Sequence, residues 1–357
     1  MATNKNNPNL TKVISEIANE LDILLDSEQL HIGGERAIMR PEKYVLTGID
    51  NKTKKRVVLK CSNISEGISE IKTERKVRKA LLDMPFAIQE LSIPAELYFG
   101  TMHGYSVAVI EFIEQSKVFA NYPLREQFFM ALHAFESQES FHATTRKHYQ
   151  SVRSLFSEFT TETYLNDFDM FVSNISKNSH NITAANTAVS AKDFLLKNQS
   201  VVSTYNGYLM HSDFVPHNFR IKDRKLFLLD FVAFSFGNKY ESWARFINFM
   251  EAHSPQLVQP LTEYIKKDRG KDEYLALRIM RMYKIGFLLN FYTNSLSKTD
   301  GNLHKLTEER IIFWTHVLDS VLQDIPTEQK MYATYITARD SLRTEKEKRR
   351  QREFTNA

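Results

Sequence analysis

One stretch constrains this chain more than any other. It is His211-Ser212-Asp213-Phe214-Val215-Pro216-His217-Asn218-Phe219, followed by Leu226-Phe227-Leu228-Leu229-Asp230-Phe231. It reads as a short polar loop between two apolar runs. The second run has the pattern of a buried strand in a hairpin, with a carboxylate at its end. Asp213 and Asn218 are five residues apart, so a tight loop aims one at a hydroxyl and the other at a cation. A carboxylate at a strand end, facing an Asp and an Asn, suits a hard cation such as Mg²⁺. That ion takes one or two protein oxygens and fills its shell with water and phosphate. A solvated turn would explain Asp-x4-Asn by itself. It does not explain the His two residues before, the Pro three after and the hairpin leading to Asp-Phe.

The pattern His-x-Asp-x-x-Pro-x-Asn, with Asp-Phe about a dozen residues on, resembles the aminoglycoside phosphotransferase family of kinase-like enzymes. The resemblance implies an α+β, bilobal, protein-kinase-like fold. A small antiparallel-sheet N-lobe would precede a larger, mainly helical C-lobe. It further implies that Asp213 takes the proton of an acceptor hydroxyl and that Asn218 and Asp230 hold Mg²⁺. The reaction implied is transfer of the γ-phosphoryl group of ATP (or GTP) to a hydroxyl of a small molecule.

Upstream residues fall in the order this resemblance requires. Gly33-Gly34 stand where the family has a loop over the nucleotide phosphates, since backbone N–H groups approach phosphate closely where no side chain intervenes. Tyr44 to Gly48 and Arg56 to Cys61 read as a hairpin around a polar turn. Lys60 closes its second strand, where the kinase pattern has its phosphate-binding lysine. Ser65 to Leu82 has helical spacing. On it Glu74 is the expected partner of Lys60, and Glu70, one turn earlier, is the rival. The apolar run Tyr105 to Ile113 resembles the hinge. There the backbones of Glu111 and Ile113 would meet the edge of the nucleotide base.

Other segments carry less chemistry. Thr11 to Leu25 reads as one leading helix. The chain from Arg125 is mainly helical, with His133 and His142 as core or capping residues. Ser173 to Ser190 is polar and reads as a loop or mobile insertion. Tyr283, Phe287 and Phe291, spaced by four, read as a core stripe. After Asp230 the sequence departs from the family. Gly237-Asn238-Lys239 replaces Gly-Asp-Pro, and Ser242 stands where an Asp braces the catalytic loop. Glu241 is the candidate substitute for that brace.

Composition narrows the remaining classes. The 357 residues divide into an N-terminal helical extension (1–30), a nucleotide-binding N-lobe (31–113), a C-lobe (114–340) and a charged tail (341–357). A net charge of +4 does not indicate a nucleic-acid partner. One cysteine excludes an internal disulfide, and no apolar run approaches a membrane span, so a cytoplasmic protein with no membrane partner is expected. A protein kinase is the less favoured reading, because no Ala-Pro-Glu follows Asp230. A scaffold that only binds nucleotide is disfavoured by the intact Asp213, Asn218 and Asp230. Lys239 to Asp300, expected to line the acceptor, carries ten positive against seven negative residues. That favours a sugar or another neutral or anionic acceptor over a polycationic aminoglycoside or a choline-type amine.

Overall fold

The computed structural model describes residues 8–27, 43–84, 91–115, 117–142, 149–150, 153–178, 181–223, 225–345 and 347–348. Contacts divide the chain into two units. One comprises Met1–Pro85, Leu91–Ser116 and Arg220–Val232, and the other Phe86–Glu90, Lys117–Phe219 and Ala233–Ala357. The boundaries differ from those read in the sequence. The leading segment belongs to the first unit, and so does Arg220–Val232, which the sequence reading placed in the C-lobe.

The first unit opens with α1 (Pro8–Glu20), β1 (Ile23–Leu25), β2 (Tyr44–Asp50), β3 (Arg56–Ser62) and α2 (Ser65–Leu82). It continues with β4 (Leu91–Ser92), β5 (Glu96–Met102) and β6 (Tyr105–Glu111). Five strands form an antiparallel sheet in the order β1-β2-β3-β6-β5. Side chains alternate between the faces of a strand. Val57, Leu59 and Cys61 therefore share one face with Leu46, Val107 and Val109, and Ile14, Ile17 and Ala18 of α1 seal it. Lys60 points to the other face, where α2 supplies its partner. Cys61 is a core residue, and burial pushes its thiol up to about 12.

The expected single helix from Thr11 to Leu25 is corrected here. Asp22 has φ of 57° and ends the helix, and Ile23–Leu25 pairs with β2 as an edge strand. Leu24 is exposed while Ile23 is buried, as strand alternation requires.

The second unit contains α3 (Leu124–His142), β7 (Ser157–Glu158), α4 (Thr161–Asn178), α5 (Ile182–Lys197), α6 (Gln199–Thr204) and β8 (Tyr208–His211). The hairpin β9 (Phe219–Lys222) and β10 (Lys225–Leu228) follows in the chain; from Arg220 it belongs to the first unit, within which β10 pairs with β4. Then come β11 (Phe234–Gly237), α7 (Glu241–His253), α8 (Pro255–Asp268), α9 (Lys271–Leu296), α10 (Gly301–Gln323) and α11 (Gln329–Leu342). The core of this unit is aromatic. Phe135 stacks on Trp243 with centroids 4.6 Å apart, and Phe214 stacks on Phe219 at 5.0 Å. His142 is buried 3.6 Å from Glu139, and burial holds its imidazole below the ordinary value despite that carboxylate.

The polar segment from Ser173 to Ser190 is not a loop. It is the end of α4 and the start of α5. Asn181 caps α5 by accepting a hydrogen bond from the Ala184 N–H at 3.1 Å. The buried face of α5 is Ala184, Ala188, Ala191 and Leu195, so it packs through small residues that hydropathy does not flag. The aromatic stripe on α9 is also corrected. Tyr283 is buried, but Phe287 is 49% and Phe291 36% exposed.

Candidate active site

In the second unit, β8 and β11 pair side by side, His211 against Phe234, and the chain leaves β8 into the loop that carries Asp213. A short turn at Pro216–Asn218 closes this loop. Asn218 Nδ2 donates to the Asp213 carbonyl at 2.8 Å and to Asp213 Oδ2 at 2.9 Å. The amide nitrogen is thus committed twice to Asp213, which turns the oxygen end of the amide away from it. Arg245 of α7 donates from Nε to the other carboxylate oxygen, Oδ1, at 2.8 Å. Both oxygens of Asp213 are held, yet its side chain keeps 42% exposure. Desolvation works to raise its pKa, but Arg245 first, then His217, His211 and Lys284, outweigh it and lower the carboxyl to about 2.

The loop is braced from α7. His211 is fully buried, and its N–H and carbonyl both bond the Ser242 hydroxyl. The expected substitute brace, Glu241, is engaged elsewhere. It accepts hydrogen bonds from Tyr164 and from Lys284 Nζ at 2.7 Å. Tyr164 also accepts the Asn238 N–H at 2.9 Å. Gly237 is required beside it, because a Cβ there would run into the Tyr164 hydroxyl.

The first unit holds the other candidates. Lys60 Nζ lies 2.5 Å from Glu74, and both are nearly buried. Burial disfavours the Glu74 carboxylate, but Lys60, with Lys43 and Arg78, holds its pKa below the ordinary value. Glu70, the rival partner, pairs instead with Lys43 at 3.0 Å. Asp230 ends the β10 hairpin with φ of 58°, a left-handed conformation that short polar side chains tolerate and most others do not. At the expected hinge, the Glu111 N–H already bonds the Ala95 carbonyl at 2.9 Å and the Phe112 N–H bonds the Arg56 carbonyl at 3.2 Å. Glu111 therefore has only its carbonyl to offer a ligand. Gly33 and Gly34 lie outside the described residues.

The donor types named for the cation are hard ones. The Asn218 amide oxygen and the Asp230 carboxylate are hard donors, and Mg²⁺ in phosphoryl-transfer sites needs few protein ligands. Among the described residues no group of three or more His, Cys, Asp or Glu forms a metal cluster. No described helix is long and apolar enough to cross a membrane.

Two functional candidates escaped the sequence reading. Arg245 sits three residues after Ser242, on the same helix that braces the loop, and that spacing was its only signal. Lys43 lies two residues before Val45, the residue opposite Lys60, and strand periodicity alone marked it.

No family model matches the sequence, and no curated protein matches it either. Solved structures do match the fold. ADP-bound aminoglycoside phosphotransferase APH(2'')-Ib superposes with a TM-score of 0.56 at 15% identity, covering 90% of this chain and 98% of that one. A variant of aminoglycoside 2'-phosphotransferase-IIIa in complex with GDP gives 0.60 at 11%, covering 89% and 98%. A thermostable mutant of APH(4)-Ia in ternary complex with ADP and hygromycin B gives 0.59 at 15%, covering 87% and 98%. This chain therefore has the protein-kinase-like fold of the aminoglycoside phosphotransferases.

Proposed function

We propose that this protein is a small-molecule kinase that transfers the γ-phosphoryl group of ATP or GTP to a hydroxyl. The observation that carries the reading is the Asp213 loop. A carboxylate partly open to solvent is gripped at one oxygen by Arg245 and at the other by Asn218. In this reading Asp213 orients the acceptor hydroxyl and receives its proton. A carboxyl near 2 is a weak base. It suits a loose transition state, in which the hydroxyl loses little proton density before the phosphoryl group moves. Lys60, fixed by Glu74, contacts the nucleotide phosphates. The Glu111 carbonyl and the Ile113 backbone read the base. Asn218 and Asp230 would hold Mg²⁺, which when bound supplies neutralisation of the phosphate oxygens.

For the acceptor, we infer a sugar or another neutral or anionic hydroxyl compound. The supporting observation is that three of the four carboxylates on α7 and α9 are already paired. Glu241 meets Lys284, Glu251 meets Arg281 at 2.5 Å, and Glu273 bonds Tyr240 and Lys239. Each desolvated ammonium of a polycation would need its own carboxylate. An aminoglycoside acceptor is the second reading, favoured by the fold neighbour that holds hygromycin B. The test is nucleoside-diphosphate release by the purified protein with Mg²⁺ and ATP or GTP. Sugars, sugar phosphates, amino alcohols and kanamycin would be offered in turn. A sugar-dependent rate that Asp213→Asn abolishes is expected. Efficient phosphorylation of kanamycin would overturn the acceptor reading. Absence of both acceptor-dependent turnover and nucleotide binding would overturn the whole.

A further inference from the structure

The first unit presents two lysines where a kinase of this fold is expected to use one. Val45 lies directly opposite Lys60 in the β2–β3 ladder. Residues directly opposite share a face, and so do residues two apart along a strand. Lys43, two before Val45, therefore lies on the same face as Lys60. The partners come from one helix. Glu74 and Glu70 are one turn apart on α2, and each takes one lysine: Lys60 to Glu74 at 2.5 Å and Lys43 to Glu70 at 3.0 Å.

The two pairs are not separate. Burial works to lower the Lys43 ammonium, but Glu74, Glu70 and Asp230 raise it above its ordinary value. Lys43 is thus within electrostatic reach of the Lys60–Glu74 pair and of Asp230. Its side chain is 17% exposed. An ammonium has three donors, and one glutamate oxygen occupies one of them. The remaining donors match a ligand rich in oxygen and negative charge.

We propose that Lys43 is a second phosphate-binding lysine, which contacts the polyphosphate of the nucleotide beside Lys60 and is held there by Glu70. This rests on the nucleotide-binding reading above. The experiment is equilibrium binding of Mg-ATP and of adenosine to the full chain, for wild type, Lys43→Met, Lys43→Arg and Glu70→Gln. Lys43→Met should weaken ATP binding about tenfold or more, the scale of one charge-assisted hydrogen bond, and leave adenosine binding unchanged. Lys43→Arg should recover most of the loss. Glu70→Gln should weaken ATP by a smaller factor, because the lysine remains but is less well placed. Unchanged ATP affinity in Lys43→Met would overturn the proposal. An equal loss for ATP and adenosine would also overturn it, since that marks a structural role. Wild-type protein that binds neither ATP nor GTP would instead remove the nucleotide reading, and this inference with it.

Discussion

The hydroxyl of Ser242 holds His211 by both of its backbone groups: the His211 N–H donates to Ser242 Oγ at 3.1 Å, and Ser242 Oγ donates to the His211 carbonyl at 3.0 Å. Both backbone groups are shut away from water, so no solvent molecule replaces the hydroxyl if it is removed. Ser242→Ala should lower stability by about 1–3 kcal/mol, the range for stranding buried polar groups. Differential scanning calorimetry should show a melting temperature lower by a few degrees. An unchanged melting temperature would mean that the brace is dispensable.

Asp213→Asn should leave the fold and Mg-nucleotide affinity close to wild type while cutting turnover at least about a hundredfold. The amide keeps one acceptor for Arg245 but cannot take a proton. Turnover near the wild-type rate in a steady-state assay would rule Asp213 out as the base.

If Asp213 is the base, Arg245 should set its acid tolerance. A carboxyl lowered to about 2 stays ionised throughout the working range, so the wild-type rate should show no acid limb from Asp213 above about pH 3. The pairing of Asp213 also contributes stability that is present above the ordinary value of 3.8 and lost as pH falls through the folded value. Arg245→Met removes the largest opposing charge and leaves desolvation, which raises the pKa. The acid limb of kcat/KM should therefore move to higher pH. If the two pH profiles superimpose, Arg245 does not tune Asp213.

The Lys60–Glu74 pair separates stability from binding. Breaking a buried pair from one side strands the other charge and costs about 3–5 kcal/mol. Lys60→Met should therefore be strongly destabilised in urea. The double variant Lys60→Met with Glu74→Leu should regain much of that stability and still bind ATP poorly. Equal stability of the single and double variants would show that the two residues are not coupled.

The legible parts of the sequence were those where chemistry demands a fixed spacing. Asp213 and Asn218 sit five residues apart on one loop, and that spacing nearly determines their contact. Lys60 and Glu74 come from a strand and the helix after it; Glu74 is preferred over Glu70 because the stretch around it resembles the family, and it is Glu74 that pairs with Lys60. Other features depend on contacts that spacing does not encode. Arg245 meets Asp213 across a sequence separation of 32 positions. The α5 face is alanine, which carries little hydropathic signal and packs through closeness of approach instead. Leu24 and Leu25 fit a helical period, and only the left-handed Asp22 diverts them into a strand.

The backbone at Asp230 places two demands on one residue. Its φ of 58° favours glycine, asparagine or aspartate, and the proposed cation favours a carboxylate. Glutamate keeps the charge but loses the conformational tolerance, and glycine keeps the tolerance but loses the charge. Asparagine, like glycine, leaves the turn at ease while removing the negative charge. Aspartate and asparagine codons differ by a single base. One point mutation therefore separates this chain from a variant whose turn is unstrained and whose proposed cation-binding charge is gone. Through this codon the proposed metal site can be lost while the backbone conformation is kept.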